Sequence, residues 1–299
     1  MRVTYNTFYN TLSDRLAALS TNQQTALQQM STGQKLTLPS DNPTAMQRVL
    51  ELRTTKAQEK QFWKNAGDIS SISKISTTGL QQLSGVFTRA TELTTLGTNE
   101  ATDANAFQAF ASETNQLLEQ ALSQANARLN GQYLHGGTAT GTPPFVATRD
   151  VAGQITGISY VGNSTDALVR ISESSTISLY TSGTENTNIR DLLNNMVTLR
   201  NNLQAGNAAA VGGLRPAQEL IEDQLLSSIS KAGGIQSRLE VSQRQSEQNF
   251  LNNETLIARD ADLDFAEASV RFSRAQTAYS AAVQSSAKIA NTSLLDFIR

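Results

Sequence analysis

The chain holds one histidine and no cysteine, and these two counts remove most of the chemistry open to a protein of its length. Without thiols there is neither a disulfide framework nor a thiolate metal site. The single imidazole, His135, stands beside Gly136-Gly137 and leaves Ser-His or Cys-His nucleophile pairs almost no material. A structural or solvent-facing place for it outweighs a ligand role. One carboxylate group does have metal-ligand spacing, Asp260-x-Asp262-x-Asp264. A calcium loop needs a glycine next and a bidentate glutamate further on, where this chain has Phe265 and Arg271. The acidic group therefore reads as a solvated helix face. No phosphate-binding glycine loop and no G-x-S-x-G elbow is present either. The expectation is a protein that is not an enzyme, with no cofactor and no metal.

Composition narrows what remains. Of 299 residues, 38% are hydrophobic and 17% charged, both low for a globular protein, with Ser, Thr, Asn, Gln and Ala filling the gap. Long helices burying narrow stripes fit this better than one thick core. A formal charge of -2 and the lack of a Lys/Arg-rich run argue against a nucleic-acid partner. The start, MRVTYNTFYNTLSDRL, lacks the apolar run of a secretory signal, and no stretch reaches the roughly 20 apolar residues of a membrane span. Export, if it occurs, does not use a classical signal.

The strongest pattern lies at the two ends. Tyr5, Tyr9, Leu12, Leu16, Leu19, Ala26 and Met30 follow alternating steps of three and four, with only Gln23 polar in the register. Near the other end Phe265, Phe272 and Tyr279 stand seven apart, with Ala268, Ala275, Ala282 and Ile289 each three residues beyond that register. Val283, Ala287, Ala290, Leu294 and Phe297 add a shifted stripe, so this apolar surface is broader than one helix covers. Periodicity alone leaves two readings in near balance: packing within the chain, and assembly with neighbouring subunits.

Between the ends, a first helix from about Thr7 to Met30 closes at Gly33, and Asn42-Pro43 starts a second that continues past Trp63. Gly67, Gly79 and Gly85 predict bends or close approaches, and Gly97-Thr98-Asn99 a break. A third helix is expected over about Asn105 to Leu129, stopped by Asn130-Gly131. From Gly136 to Gly183 short β-branched runs such as Gly157–Val161 and Leu168–Ile171 indicate a small β-rich insertion. Helix resumes near Ile189, stops at Gly206, and restarts at Pro216 with an interruption at Gly233-Gly234. This out-and-back course brings both termini to one end.

Three segments resemble a known family. Met30-Ser31-Thr32-Gly33-Gln34-Lys35-Leu36-Thr37-Leu38-Pro39-Ser40-Asp41-Asn42-Pro43 resembles the signature after the first helix of the flagellar hook-associated protein 3 family, which forms the hook-filament junction. Asn130-Gly131-Gln132-Tyr133-Leu134-His135-Gly136-Gly137 with Pro144-Phe145 is similar to that family's entry into its β-rich outer domain. Thr292-Ser293-Leu294-Leu295-Asp296-Phe297-Ile298 resembles its terminal motif, commonly closer to Leu-Ser-Leu-Phe-Asp-Tyr-Leu. His135 departs from the family, where an aromatic residue is frequent.

The resemblance implies a mainly α, flagellin-like elongated helical bundle or coiled coil formed by both termini, with a small β-rich outer insertion. The division expected is an inner domain of residues 1–40 and 260–299, a helical intermediate domain of 41–135 and 186–259, and an outer domain of 136–185. It further implies secretion through the flagellar type III channel with an export chaperone. The expected partners are another hook-associated protein, flagellin and copies of itself in a ring or helical layer. Tyr5, Tyr9, Leu12, Leu16, Leu19, Met30, Phe265, Phe272, Tyr279, Val283, Ile289, Leu294 and Phe297 would form the interface. The alternatives are a filament flagellin and a signalling helical hairpin, though β texture across residues 136–183 breaks the heptads such a hairpin would keep.

Overall fold

The computed structural model describes residues 2–99, 102–165, 167–178 and 183–297. Among them the chain forms α1 (Arg2–Thr32), α2 (Pro43–Gly97), α3 (Ala104–Ala125), α4 (Gly183–Gln204), α5 (Ala208–Gly212), α6 (Arg215–Ala261) and α7 (Phe265–Phe297). Six short strands lie between α3 and α4: β1 (Arg128–Leu129), β2 (Gln132–Tyr133), β3 (Phe145–Arg149), β4 (Ile155–Tyr160), β5 (Leu168–Arg170) and β6 (Thr176–Ser178). The mainly helical architecture with a small β insertion is thus the one observed. Two compact units are formed, one from residues 1–58 with 249–299 and one from residues 59–248.

The second unit holds the main core. Leu80, Leu83 and Phe87 of α2, Leu118 of α3 and Leu192, Leu193, Met196 and Leu199 of α4 are all buried in one cluster. The β3–β4 pair joins it directly through Phe145, Ile155 and Ile158. Simple alternation would put Ile155 and Ile158, three residues apart, on opposite faces. A register shift between Thr148 and Arg149 leaves Thr156 unpaired and lets both isoleucines be buried while Thr156 and Ser159 are exposed. The β5–β6 pair covers a smaller cluster in which Ile171 and Ile177 meet Ala66, Ile69 and Leu239.

A buried arginine ties the first of these hairpins to the helices. Arg200, only 2% exposed, donates to the Ile155 carbonyl at 2.7 Å, to Asn115 Oδ1 at 3.0 Å and to Asn201 Oδ1 at 2.7 Å. Burial holds its guanidinium below the usual arginine range. At the hairpin's outer end, Arg149 pairs with both carboxylate oxygens of Glu119, and this pairing lowers the Glu119 pKa.

Several local expectations are corrected. Asn130-Gly131 does not end a helix; α3 stops at Ala125, and the pair forms a two-residue turn between β1 and β2 with φ of 51° and 80°. Positive φ at both positions defines the mirror-image turn that Asn-Gly favours. Gly233-Gly234 does not interrupt α6, nor do Gly67, Gly79 or Gly85 interrupt α2. Of these, only at Gly67 would a Cβ meet a close neighbour, the Gln243 amide nitrogen at 3.1 Å. The break in the C-terminal helical run lies instead at residues 262–264. Of the two places expected for His135, structural or solvent-facing, it takes the structural one: it is fully buried, and burial pushes its imidazole down to about 4, so it is neutral near pH 7.

Candidate assembly interface

The two terminal helices meet at a backbone latch. Where α1 ends, Gly33 takes a φ of 68°, the left-handed conformation that closes a helix. The Lys35 N–H donates to the Ala261 carbonyl at 2.7 Å and the Leu263 N–H to the Gly33 carbonyl at 3.0 Å, framing an antiparallel bridge between Gln34 and Asp262. From this junction α1 and α7 run antiparallel, packed along each other, so the start of α1 and the end of α7 share one end.

The three aspartates around the latch have separate jobs instead of sharing a solvated face or an ion. Arg48 Nε lies 2.7 Å from Asp260 Oδ2, an ion pair whose angle falls short of a hydrogen bond. Asp262 supplies the backbone bridge. Asp264 caps α7, its Oδ1 accepting from Ala266 N at 2.9 Å and Glu267 N at 3.2 Å.

The loop from Lys35 to Asn42 is held the same way. Asp41 Oδ2 accepts from the backbone N–H of Leu38 at 2.9 Å and of Thr37 at 3.1 Å, and from the Thr37 hydroxyl at 3.1 Å. These bonds, that to Leu38 first, lower the Asp41 pKa. Asn42 Oδ1 caps α2 by accepting from Ala45 N at 3.0 Å, with Pro43 as the first helical residue. Leu36, Ala45, Val49 and Ala261 form a small buried cluster beside the latch. The Pro-Ser-Asp-Asn-Pro segment is therefore a self-contained turn and cap, and its spacing is explained by local hydrogen bonds alone.

The seam itself is only half closed. On α1, Leu12, Leu16, Leu19, Gln23, Ala26 and Met30 are half-buried, and none of the described α1 side chains is fully buried. On α7, Ala268 is buried while Phe272, Ala275, Tyr279 and Ala282 are half-buried, continuing the heptad steps. Outside the stripe stand Leu27 at 55%, Phe265 at 56%, Val270 at 50% and Val283 at 41% exposure. Phe265, placed on the seam by its seven-residue spacing, lies at the first turn, where one ring atom is 3.9 Å from a Cβ built on Gly33. The backbones of Tyr5 and Tyr9 belong to α1 and those of Ile289, Leu294 and Phe297 to α7, while their side chains lie outside the described residues.

Residues 3–140 match the family model described as the bacterial flagellin N-terminal helical region. Among solved structures, a putative flagellar hook-associated protein from Vibrio parahaemolyticus superposes with a TM-score of 0.64 at 18% identity, over 74% of this chain and 100% of that one. The chain has a flagellin-like fold. FlgL from Bacillus cereus superposes with a TM-score of 0.59 at 19% identity, over 68% of this chain and 97% of its own. FlgL from Xanthomonas campestris gives a TM-score of 0.59 at 14% identity, over 68% and 98% respectively. No curated protein matches the sequence. The matched flagellin region covers α1, the latch loop, α2 and α3 and runs through the β1–β2 turn. In this flagellin-like chain the described residues contain no group of His, Cys, Asp and Glu suited to a metal ion, and no helix long and apolar enough to cross a membrane.

Proposed function

We propose that the chain is a structural adaptor of the bacterial flagellum, seated between the hook region and the flagellin filament. The observation that carries this is the half-closed α1–α7 seam, a long heptad pair with exposed Leu27, Val270 and Val283 beside it. Isolated heptad pairs gain most when both flanks are covered, so such a pair is suited to lateral packing in an assembly. The hook-associated names of the structurally similar proteins give the assembly its identity as a reading. In it, α1 and α7 form the inner domain of residues 1–40 and 260–299. Residues 41–135 with 186–259 form a helical intermediate domain, and residues 136–185 an outer β domain. Tyr5, Tyr9, Leu12, Leu16, Leu19, Met30, Phe265, Phe272, Tyr279, Val283, Ile289, Leu294 and Phe297 are the interface.

The partners are then another hook-associated protein, flagellin, further copies of this chain in a ring or helical layer, and an export chaperone. The protein leaves the cell through the flagellar type III channel and works outside it, in a structural and not a catalytic role. Deleting residues 1–30 or 265–299 should abolish attachment of filaments at hook tips while the second unit stays folded. Normal filaments from either deletion overturn the proposal. A second reading, filament flagellin, is favoured by the name of the matching family model. Purified protein that polymerises alone into long filaments selects flagellin; a requirement for hook tips and added flagellin selects the adaptor. Electron microscopy of labelled protein along a flagellum separates the two.

A further inference from the structure

The second unit contains a level at which its two longest helices fully bury no apolar side chain, and only half-buried ones such as Ile72, Ile229 and Ile235 remain. On α2 the buried apolar residues stop at Ile69 and resume at Leu80, and the only fully buried side chains between Ser70 and Leu80 reduce to Ser76. On α6 they stop at Leu225 and resume at Leu239, with Ser228 the one buried side chain between. The helices run antiparallel here, since Gln236 Nε2 donates to Thr77 Oγ1 at 2.9 Å and Gln218 Nε2 to Thr94 Oγ1 at 2.8 Å. That register overlaps the two gaps where residues 75–79 of α2 face residues 234–238 of α6. They separate the large apolar cluster from the smaller one around Ile69 and Leu239.

Glycine occupies both helices at this same level. Gly79 lies in α2, and Gly233-Gly234 in α6. A Cβ built on any of the three meets nothing within 4 Å, and none has a positive φ. Neither close packing nor backbone conformation requires them, and Gly233 and Gly234 are exposed. At exposed helix positions glycine weakens the helix relative to alanine. Packing adds a further weakness. A cavity of about 50 Å³ opens at this level, where Ser73, Ser76 and Ser228 face it alongside Ile72, Leu134 and Ile235, and the buried Ser76 hydroxyl has no hydrogen-bond partner. Three independent stiffening terms are thus reduced at one level: apolar packing, helix propensity and polar satisfaction.

We propose that the paired α2 and α6 helices carry a bending joint at Gly79 and Gly233-Gly234, between two separately packed apolar blocks. Local opening concentrates where buried apolar contacts are few and helix propensity is lowest. The joint lets the blocks tilt while each keeps its own core, and the intact i to i−4 ladder on both sides makes the bend local.

Two measurements on the full-length protein test this. Amide hydrogen exchange should be about tenfold faster over residues 74–80 and 229–236 than over the flanking α2 and α6 turns, and the G79A/G233A/G234A variant should remove most of that difference. Alanine fits at all three sites without contact, so the variant should fold. General stabilisation would slow exchange throughout, so a second readout is needed. Because the chain has no native cysteine, spin labels on cysteines introduced at Asp68 and Thr88 report the distance across the level within α2. The expected result is a broad distance distribution that narrows in the triple-alanine variant. Uniform exchange protection across both helices, or an equally narrow distribution with and without the glycines, overturns the proposal.

Discussion

The two units solve the same problem, holding long helices together, with opposite amounts of apolar burial. The second unit interleaves leucines from four helices, and Leu83, Leu93, Leu118, Leu193, Leu199 and Leu203 are all 0% exposed. The first unit has the α1–α7 pair, whose described seam residues are half-buried apart from Ala268, and a four-residue cluster where α2 and α6 meet beside the latch. Its order comes instead from hydrogen bonds at one point: the Gly33 and Lys35 bonds, the Asp264 cap and the Asp41 turn. Burial makes a unit stable by itself. A half-covered seam leaves stability to be gained from whatever covers it.

The sharpest break of this comparison is a matched pair of truncations. Phe87→Ala, in a side chain 1% exposed, should cost about 3–5 kcal/mol in urea unfolding of the second unit. Leu16→Ala, half-buried on α1, should cost under about 1.5 kcal/mol in the monomer. Comparable losses at the two positions would erase the distinction between a closed core and an open seam. Arg200→Met tests the same core through its polar member. It strands the Ile155 carbonyl and Asn115, for a loss of about 3 kcal/mol.

Acid should separate the units next. His135 is fully buried and its pKa is lowered to about 4 by desolvation, against 6.5 when unfolded. Between those values the unfolded chain binds a proton that the folded chain does not, so stability is complete above about pH 6.5 and falls as pH drops toward 4. At about 1.4 kcal/mol per unit the loss approaches 3 kcal/mol. The check is the pH dependence of second-unit unfolding in the native protein and in His135→Gln. Equal slopes between pH 6.5 and 4 would remove His135 as the cause.

How much of this was legible in the sequence depended on whether a signal was local. Asn42-Pro43 marked the start of α2, because a cap acts through its own backbone. Gly97, the last residue of α2, has no positive φ and is required instead by packing, since a Cβ there would meet Leu203 at 2.8 Å. Asn130-Gly131 was misread since the same dipeptide ends helices and makes hairpin turns, and only the pairing of Leu129 with Gln132 decides between them. Gly233-Gly234 was read as a break because propensity ignores the buried residues on either side that carry the helix through. The true break at 262–264 has no glycine or proline to announce it; it exists because Lys35 donates to Ala261 and Leu263 to Gly33, bonds between residues more than two hundred positions apart in the sequence. Along α7, heptad spacing found the Ala268, Phe272 and Tyr279 face that is buried or half-buried. It could not say that Phe265 stays 56% exposed, nor that His135 is buried, since neither follows from neighbours in the chain.

A smaller effect probes the latch. Asp264→Ala removes the side chain that accepts from Ala266 and Glu267, and should cost α7 about 1 kcal/mol. Amide exchange in the first turns of α7 should accelerate while that of α4 is unchanged. Acceleration spread equally into the second unit would mean that the latch supports more than its own helix.

The smallest stability effect carries the most functional weight. Val283→Ser replaces a side chain 41% exposed at the edge of the seam, so the monomer should change by less than about 0.5 kcal/mol. If neighbouring subunits cover this edge, the same substitution places a hydroxyl in an apolar contact repeated at every subunit of the layer. Each copy then loses interface stabilisation of order 1 kcal/mol, and a closed ring multiplies the loss by its number of contacts. The expected outcome is an unchanged urea midpoint together with a large drop in filament attachment at hook tips. Unchanged attachment would show that Val283 faces solvent in the assembly as well, confining the working face of α7 to the stripe already turned toward α1.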